Sequence, residues 1–145
     1  MAKPFLKIED FICLIDQYQV PIFRFALGII FLWFGALKVF NVSPVYDFVV
    51  TAFPFFALPW MFSLLGIFEV CVSMCLLFNR FLHPALILMI LHLFSTLVIF
   101  IIKPSLAFDP FPILTMGGEF LVKNIILIIS GMLLISKLRK GVCQS

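Results

Sequence analysis

Four long apolar runs alternate along the chain with shorter stretches that hold most of the prolines and charges. The runs cover residues 20–40, 60–78, 84–102 and 119–135. A helix needs roughly 20 apolar residues to cross a hydrocarbon core, so each run qualifies or nearly qualifies as a span. The pattern predicts an all-α integral membrane four-helix bundle, with residues 1–145 forming one domain. The first run starts too late for a signal peptide and lacks a small-residue cleavage site, so it reads as a permanent span. Ahead of it, "LKIEDFICLIDQYQ" puts Ile8, Phe11, Ile12 and Ile15 on one helical face, with Asp10, Asp16 and Gln17 largely off it. That predicts an interfacial helix lying on the membrane surface, after which Pro21 resets the direction and opens the first span.

The connections differ in kind. "NRFLHP" is short and predicts a tight turn, with spans two and three as antiparallel neighbours. "NVSPVYDFVVTAFPFFALPW" and "KPSLAFDPFPILTMGG" are apolar yet interrupted by prolines. Neither is long and regular enough to cross and return. Irregular backbone at membrane depth survives only against protein or water, so both are expected to fold over the outer mouth of the bundle.

Composition sharpens this picture. The chain is 64% hydrophobic and 12% charged, with 20 phenylalanines and a mean hydropathy of +1.25. A soluble domain is about half apolar and a quarter charged. The net charge of +3 follows a side bias and does not point to a nucleic-acid partner. Lys3, Lys7, Arg80, Lys137, Arg139 and Lys140 fall on the side of the termini and the middle turn. Lys38, Lys103 and Lys123 fall on the other. The excess predicts cytoplasmic termini.

The spans are not uniformly apolar. At 100° per residue, Arg24, Gly28, Phe31, Gly35 and Lys38 share a stripe on span one. Gly66, Glu69 and Ser73 share one on span two; His92, Ser95, Thr96 and Lys103 on span three; Glu119, Lys123 and Ser130 on span four. A charge in hydrocarbon costs several kcal/mol, so these stripes are expected to face the bundle interior or a cavity. Glu119 and Lys123 stand i, i+4 at a helix start, the favourable order for an ion pair and the favourable end for an anion. Two readings follow. One is a self-paired helix start. The other is a polar chamber in which Lys38, Lys103, Glu119 and Lys123 hold an anionic or quinone-like headgroup.

Glu69, near mid-membrane, needs a partner or a proton, and Arg24 and His92 are the candidates. It reads either as a link that fixes helix register or as a proton-carrying group beside a redox ligand. A lone histidine without a second ligand at metal spacing predicts no metal site. Cys71 and Cys75 lie nearly opposite Glu69, and no CxxC occurs. The cysteines, Cys13 and Cys143 included, therefore read as packing residues or reduced thiols, not as a thiol–disulfide exchanger.

The order "RFALGIIFLWFGALKVF", "GIFEVCVSMCLLF", "FSTLVIFIIKP", "FPILTMGGEFLVKNIILIISGMLLI" resembles the DoxX-like four-helix membrane proteins. The likeness runs from about Val20 to Ile135 and is closest to the YkgB branch, which is linked to reactive-chlorine resistance. Glu119 stands where that branch has an arginine and Asn124 where it has an aspartate. The long polar outer insertion of the branch is missing. The resemblance implies a multi-pass protein of the bacterial inner membrane, tied to quinone-linked or oxidative-stress redox systems and to soluble or membrane redox partners. It implies no agreed catalytic residues.

Three functions stay open. The first is a membrane subunit, not an autonomous enzyme, that holds a quinone in the outer half of the bundle. The second is a small transporter of an anionic metabolite, with Arg24, Glu69 and Lys123 along its path. The third is a structural or assembly protein without chemistry. The lipid bilayer is a partner in all three, and a homo-oligomer is compatible with each.

Overall fold

The computed structural model describes residues 4–143. Lys3 lies outside the described residues, as do the side chains of Lys7, Lys140 and Cys143. The chain is helical almost throughout: α1 (Pro4–Val39), α2 (Tyr46–Ala52), α3 (Pro59–Leu77), α4 (Leu82–Leu97), α5 (Ile99–Ile102), α6 (Pro104–Ala107) and α7 (Met116–Cys143), with a 3-10 turn at Pro54–Ala57. Four segments are long and apolar enough to cross a membrane: Asp10–Val39, Trp60–Leu77, Leu82–Ile102 and Met116–Arg139. This is the architecture of a multi-pass membrane protein.

The expected break at Pro21 is absent, and α1 runs through it as one helix of 36 residues. At 1.5 Å per residue it is about 54 Å long, against a hydrocarbon core of about 30 Å. Pro21 removes one i→i−4 bond, a loss that helices within membrane proteins tolerate. A separate helix lying flat before the first span is therefore not what residues 4–19 form. They continue the axis of α1, and their Asp16 meets Lys137 of α7 at 3.3 Å. That contact brings the two ends of the chain to one end of the bundle.

Asparagine ends two of the long helices. Asn41 and Asn79 adopt φ of 55° and 57°, the left-handed region that asparagine tolerates better than most residues. Beyond each, an amide reaches back over the turn, Val42 N–H to the Leu37 carbonyl and Arg80 N–H to that of Cys75, both at 3.0 Å. These bonds satisfy carbonyls that the helix end would orphan. Proline at the first turn opens α3, where its missing N–H costs nothing.

The closest helix pair is α1 with α3. A Cβ on Gly66 would lie 2.7 Å from the Gly35 carbonyl oxygen and from the Val39 nitrogen, and one on Gly35 would lie 2.9 Å from the Gly66 oxygen. The two backbones touch, as small residues permit in membrane helix packing. A core of Leu27, Phe31, Leu76, Leu86, Met89, Leu93 and Ile128 joins the four long helices. A second cluster, Ala52, Ile99, Ala107 and Leu121, with Phe48, Phe53 and Phe100 against it, packs the two proline-containing connections on each other. Gly118 lets this happen: its Cβ would sit 2.1 Å from the Ala107 carbonyl oxygen, so only glycine lets α6 close on α7.

Candidate functional site

Side chains on a helix lean toward its N-terminus. Lys38 on α1 therefore leans toward the end of the bundle that holds the termini. Glu69 on the antiparallel α3 leans the other way. The two meet across the Gly35–Gly66 contact. Lys38 Nζ donates to Glu69 Oε1 at 2.7 Å and to Oε2 at 2.5 Å. His92 Nε2 of α4 lies 2.8 Å from Oε1. Lys38 and Glu69 are each only 4% exposed. Glu69 thus links three helices. Arg24, one of the two partners the pattern suggested for it, is elsewhere; Lys38 takes that place.

The cluster forms part of the wall of a cavity of about 80 Å³. Phe31 and Phe34 of α1, Ser95 and Thr96 of α4, and Phe120 and Asn124 of α7 add to the wall, and Val45, Val49, Phe53 and Phe56 close it from the α1–α3 connection. Aromatic edges support the site, with Phe31 and Phe68 packed edge-on to the His92 ring and Phe34 edge-on to Phe120. Asn124 is 2% exposed and donates to Thr96 Oγ1 at 2.9 Å, while Thr96 donates to the Leu93 carbonyl at 2.7 Å. Ser95 donates to the His92 carbonyl at 2.6 Å.

Other residues of the predicted stripes fall outside. Ser73 is buried but donates to Val70 of its own helix, and Ser130 donates to Ile126 of its own. Lys103 is half-buried and donates to the Thr51 carbonyl, so it clasps the two connections together and does not line the cavity. Glu119 and Lys123 are both exposed, and no ion pair joins them among the described residues. The register of α7 differs by one residue from the reading that turned its charges inward: Phe120, Asn124 and Leu127 face the cavity. Charges at a helix end reach water by snorkelling, whereas a short amide must find its partner inside the fold. Asn124 was the better marker of the buried face. Of Arg24, Glu69 and Lys123, the suggested path of a transported anion, only Glu69 is in the lining of this cavity. Arg24 lies beside an open apolar strip of α1, and Lys123 is at the surface.

Cys71 is exposed and Cys75 half-buried, both as free thiols away from the cavity lining. Among the described residues no three His, Cys, Asp or Glu side chains converge as a metal set. Comparison with protein-family models, with curated proteins and with solved structures gives no match.

Proposed function

We propose that the chain is a DoxX-like membrane subunit of a quinone-linked or stress-defence redox system in the bacterial inner membrane. In this reading its termini are cytoplasmic, its proline-containing connections form the outer cap, and residues 4–19 extend α1 into the cytoplasmic interface. The observation that carries the reading is the Lys38–Glu69–His92 cluster in the wall of an otherwise aromatic and aliphatic cavity.

A quinone head needs an apolar sleeve for its ring, donors for its carbonyl oxygens and a source of protons when it is reduced. Phe31, Phe34, Phe120 and Leu93 supply the sleeve. Lys38 uses its ammonium on both Glu69 oxygens and keeps a third N–H for a ligand. Glu69 sets the imidazole of His92, which can then give or take a proton at the cavity wall. In this reading the electrons come from a redox partner.

Size decides how the ligand enters. A cavity of about 150 Å³ admits benzene, and the present one is about 80 Å³. A quinone ring therefore requires Phe53 and Phe56 to move outward. The Lys103–Thr51 bond holds that segment, which makes Lys103 a latch of the cap.

The test is to extract the protein directly into native lipid nanodiscs and identify bound small molecules by mass spectrometry. A quinone at near one per chain, lost in Lys38→Met, supports the reading. A preparation that carries only bulk lipid contradicts it.

A further inference from the structure

Arg24 takes no part in the cavity. It lies on α1 15 residues before Val39, the last residue of the helix, or about 22 Å along the axis. Gly28, one turn after Arg24, packs against Leu77, the last residue of α3, so Arg24 lies level with the end of that membrane-crossing helix, a depth from which arginine reaches the headgroups. Its side chain is half-buried and pairs with no carboxylate among the described residues. Asp16, earlier on α1, holds Lys137, and Glu69 holds Lys38 and His92 toward the other end of α1.

Beside Arg24 runs an open apolar strip of the α1 surface, formed by Tyr18, Pro21, Ile22, Phe25 and Ile29. Between Tyr18 and Ile30 it spans about 18 Å of helix, comparable to the roughly 15 Å of acyl chain in one leaflet. The same end of the bundle carries exposed Arg80, Lys137 and Arg139, and basic residues beside the membrane attract anionic lipid. A cation at headgroup depth, an apolar wall of acyl length and a positive surround are complementary to a single kind of molecule.

We infer that Arg24 and this strip bind one anionic phospholipid, with its phosphate on the guanidinium and an acyl chain along Phe25 and Ile29. A planar guanidinium pairs with phosphate oxygens through two parallel hydrogen bonds, which lysine does not reproduce. The site is independent of the ligand cavity, although Ile30 borders both.

The full chain is reconstituted in nanodiscs of equal phosphatidylglycerol and phosphatidylcholine, released in the mass spectrometer and read for retained lipid. The wild type is expected to keep phosphatidylglycerol at least tenfold over phosphatidylcholine. R24Q should reduce that preference to threefold or less, and R24K should fall between. A26W obstructs the strip without altering charge and should lower retention of both lipids, while R80Q should change the preference less than twofold. Circular dichroism confirms that each variant is folded. Equal retention of the two lipids by the wild type, or full preference in folded R24Q, overturns the assignment.

Discussion

Two sets of charges with almost the same sequence credentials end in opposite environments. Lys38 and Glu69 sit on separate helices, 31 residues apart, and are buried against each other with His92. Glu119 and Lys123 sit on one helix in the favourable i, i+4 order and are exposed and unpaired with each other. Spacing within a helix says that two side chains can meet, but an exposed pair of this kind is worth only about 0.3–0.5 kcal/mol. Water or headgroups can replace it. A carboxylate deep among helices has no such alternative and must be answered from a neighbouring helix. The partner that answers is the one whose side chain leans toward it across the closest backbone contact.

The largest effect should come from breaking the buried set. Glu69→Ala leaves Lys38 without its counter-charge and is expected to cost about 3–5 kcal/mol, read from thermal unfolding in detergent. Replacing Lys38 and Glu69 together by Met and Leu should recover most of that loss. If the double variant is no better than the single, the ion pair is not what the two residues share.

Next comes the crossing that brings them together. Gly66→Val would drive a branched side chain into the Gly35 carbonyl, and overpacking of this kind costs about 1–3 kcal/mol. Because it separates α1 from α3, it should also weaken the Lys38–Glu69 contact. Disulfide trapping between cysteines placed on the two helices reads that separation.

Asn124→Leu should be milder, at about 0.6–1.7 kcal/mol, the range found for single interhelical hydrogen bonds in membrane proteins. Lys103→Met should leave stability little changed and speed ligand exchange by freeing the segment that carries Phe53 and Phe56, as stopped-flow binding would show. Unchanged rates would remove Lys103 as the latch. The smallest effects belong to the exposed pair: Glu119→Gln and Lys123→Gln should stay within about 0.5 kcal/mol of the wild type. A loss of several kcal/mol in either would erase the contrast between the two sets.

Much of this was legible in the sequence. The apolar runs at 60–78 and 84–102 fall within two residues of the segments Trp60–Leu77 and Leu82–Ile102, because helix length in hydrocarbon is set by thickness. The stripe through Gly28, Gly35 and Lys38, and that through Gly66 and Glu69, lie at the α1–α3 contact. Glycine spacing and a charge that needs burial point to the same face. Pro21 misled, because proline in a long membrane helix costs one bond that the remaining turns can absorb. The face of α7 was misjudged because its charges were read as facing inward, when their position at a helix end gave them access to water. The closing of the cavity by Val45, Val49, Phe53 and Phe56 was not readable as a site. It depends on how two irregular connections pack, and neither carries a periodic pattern.

The proposed ligand site is the Lys38–Glu69–His92 cavity and not the charged start of α7. It is tested most directly by titrating a short-chain benzoquinone into nanodisc-embedded wild type, Lys38→Met, Glu69→Gln and Glu119→Gln, each first shown to be folded. Saturable binding is expected in the wild type, weakened at least tenfold in Lys38→Met and Glu69→Gln and unchanged in Glu119→Gln. No saturable binding in the wild type, or wild-type affinity in folded Lys38→Met, would contradict it.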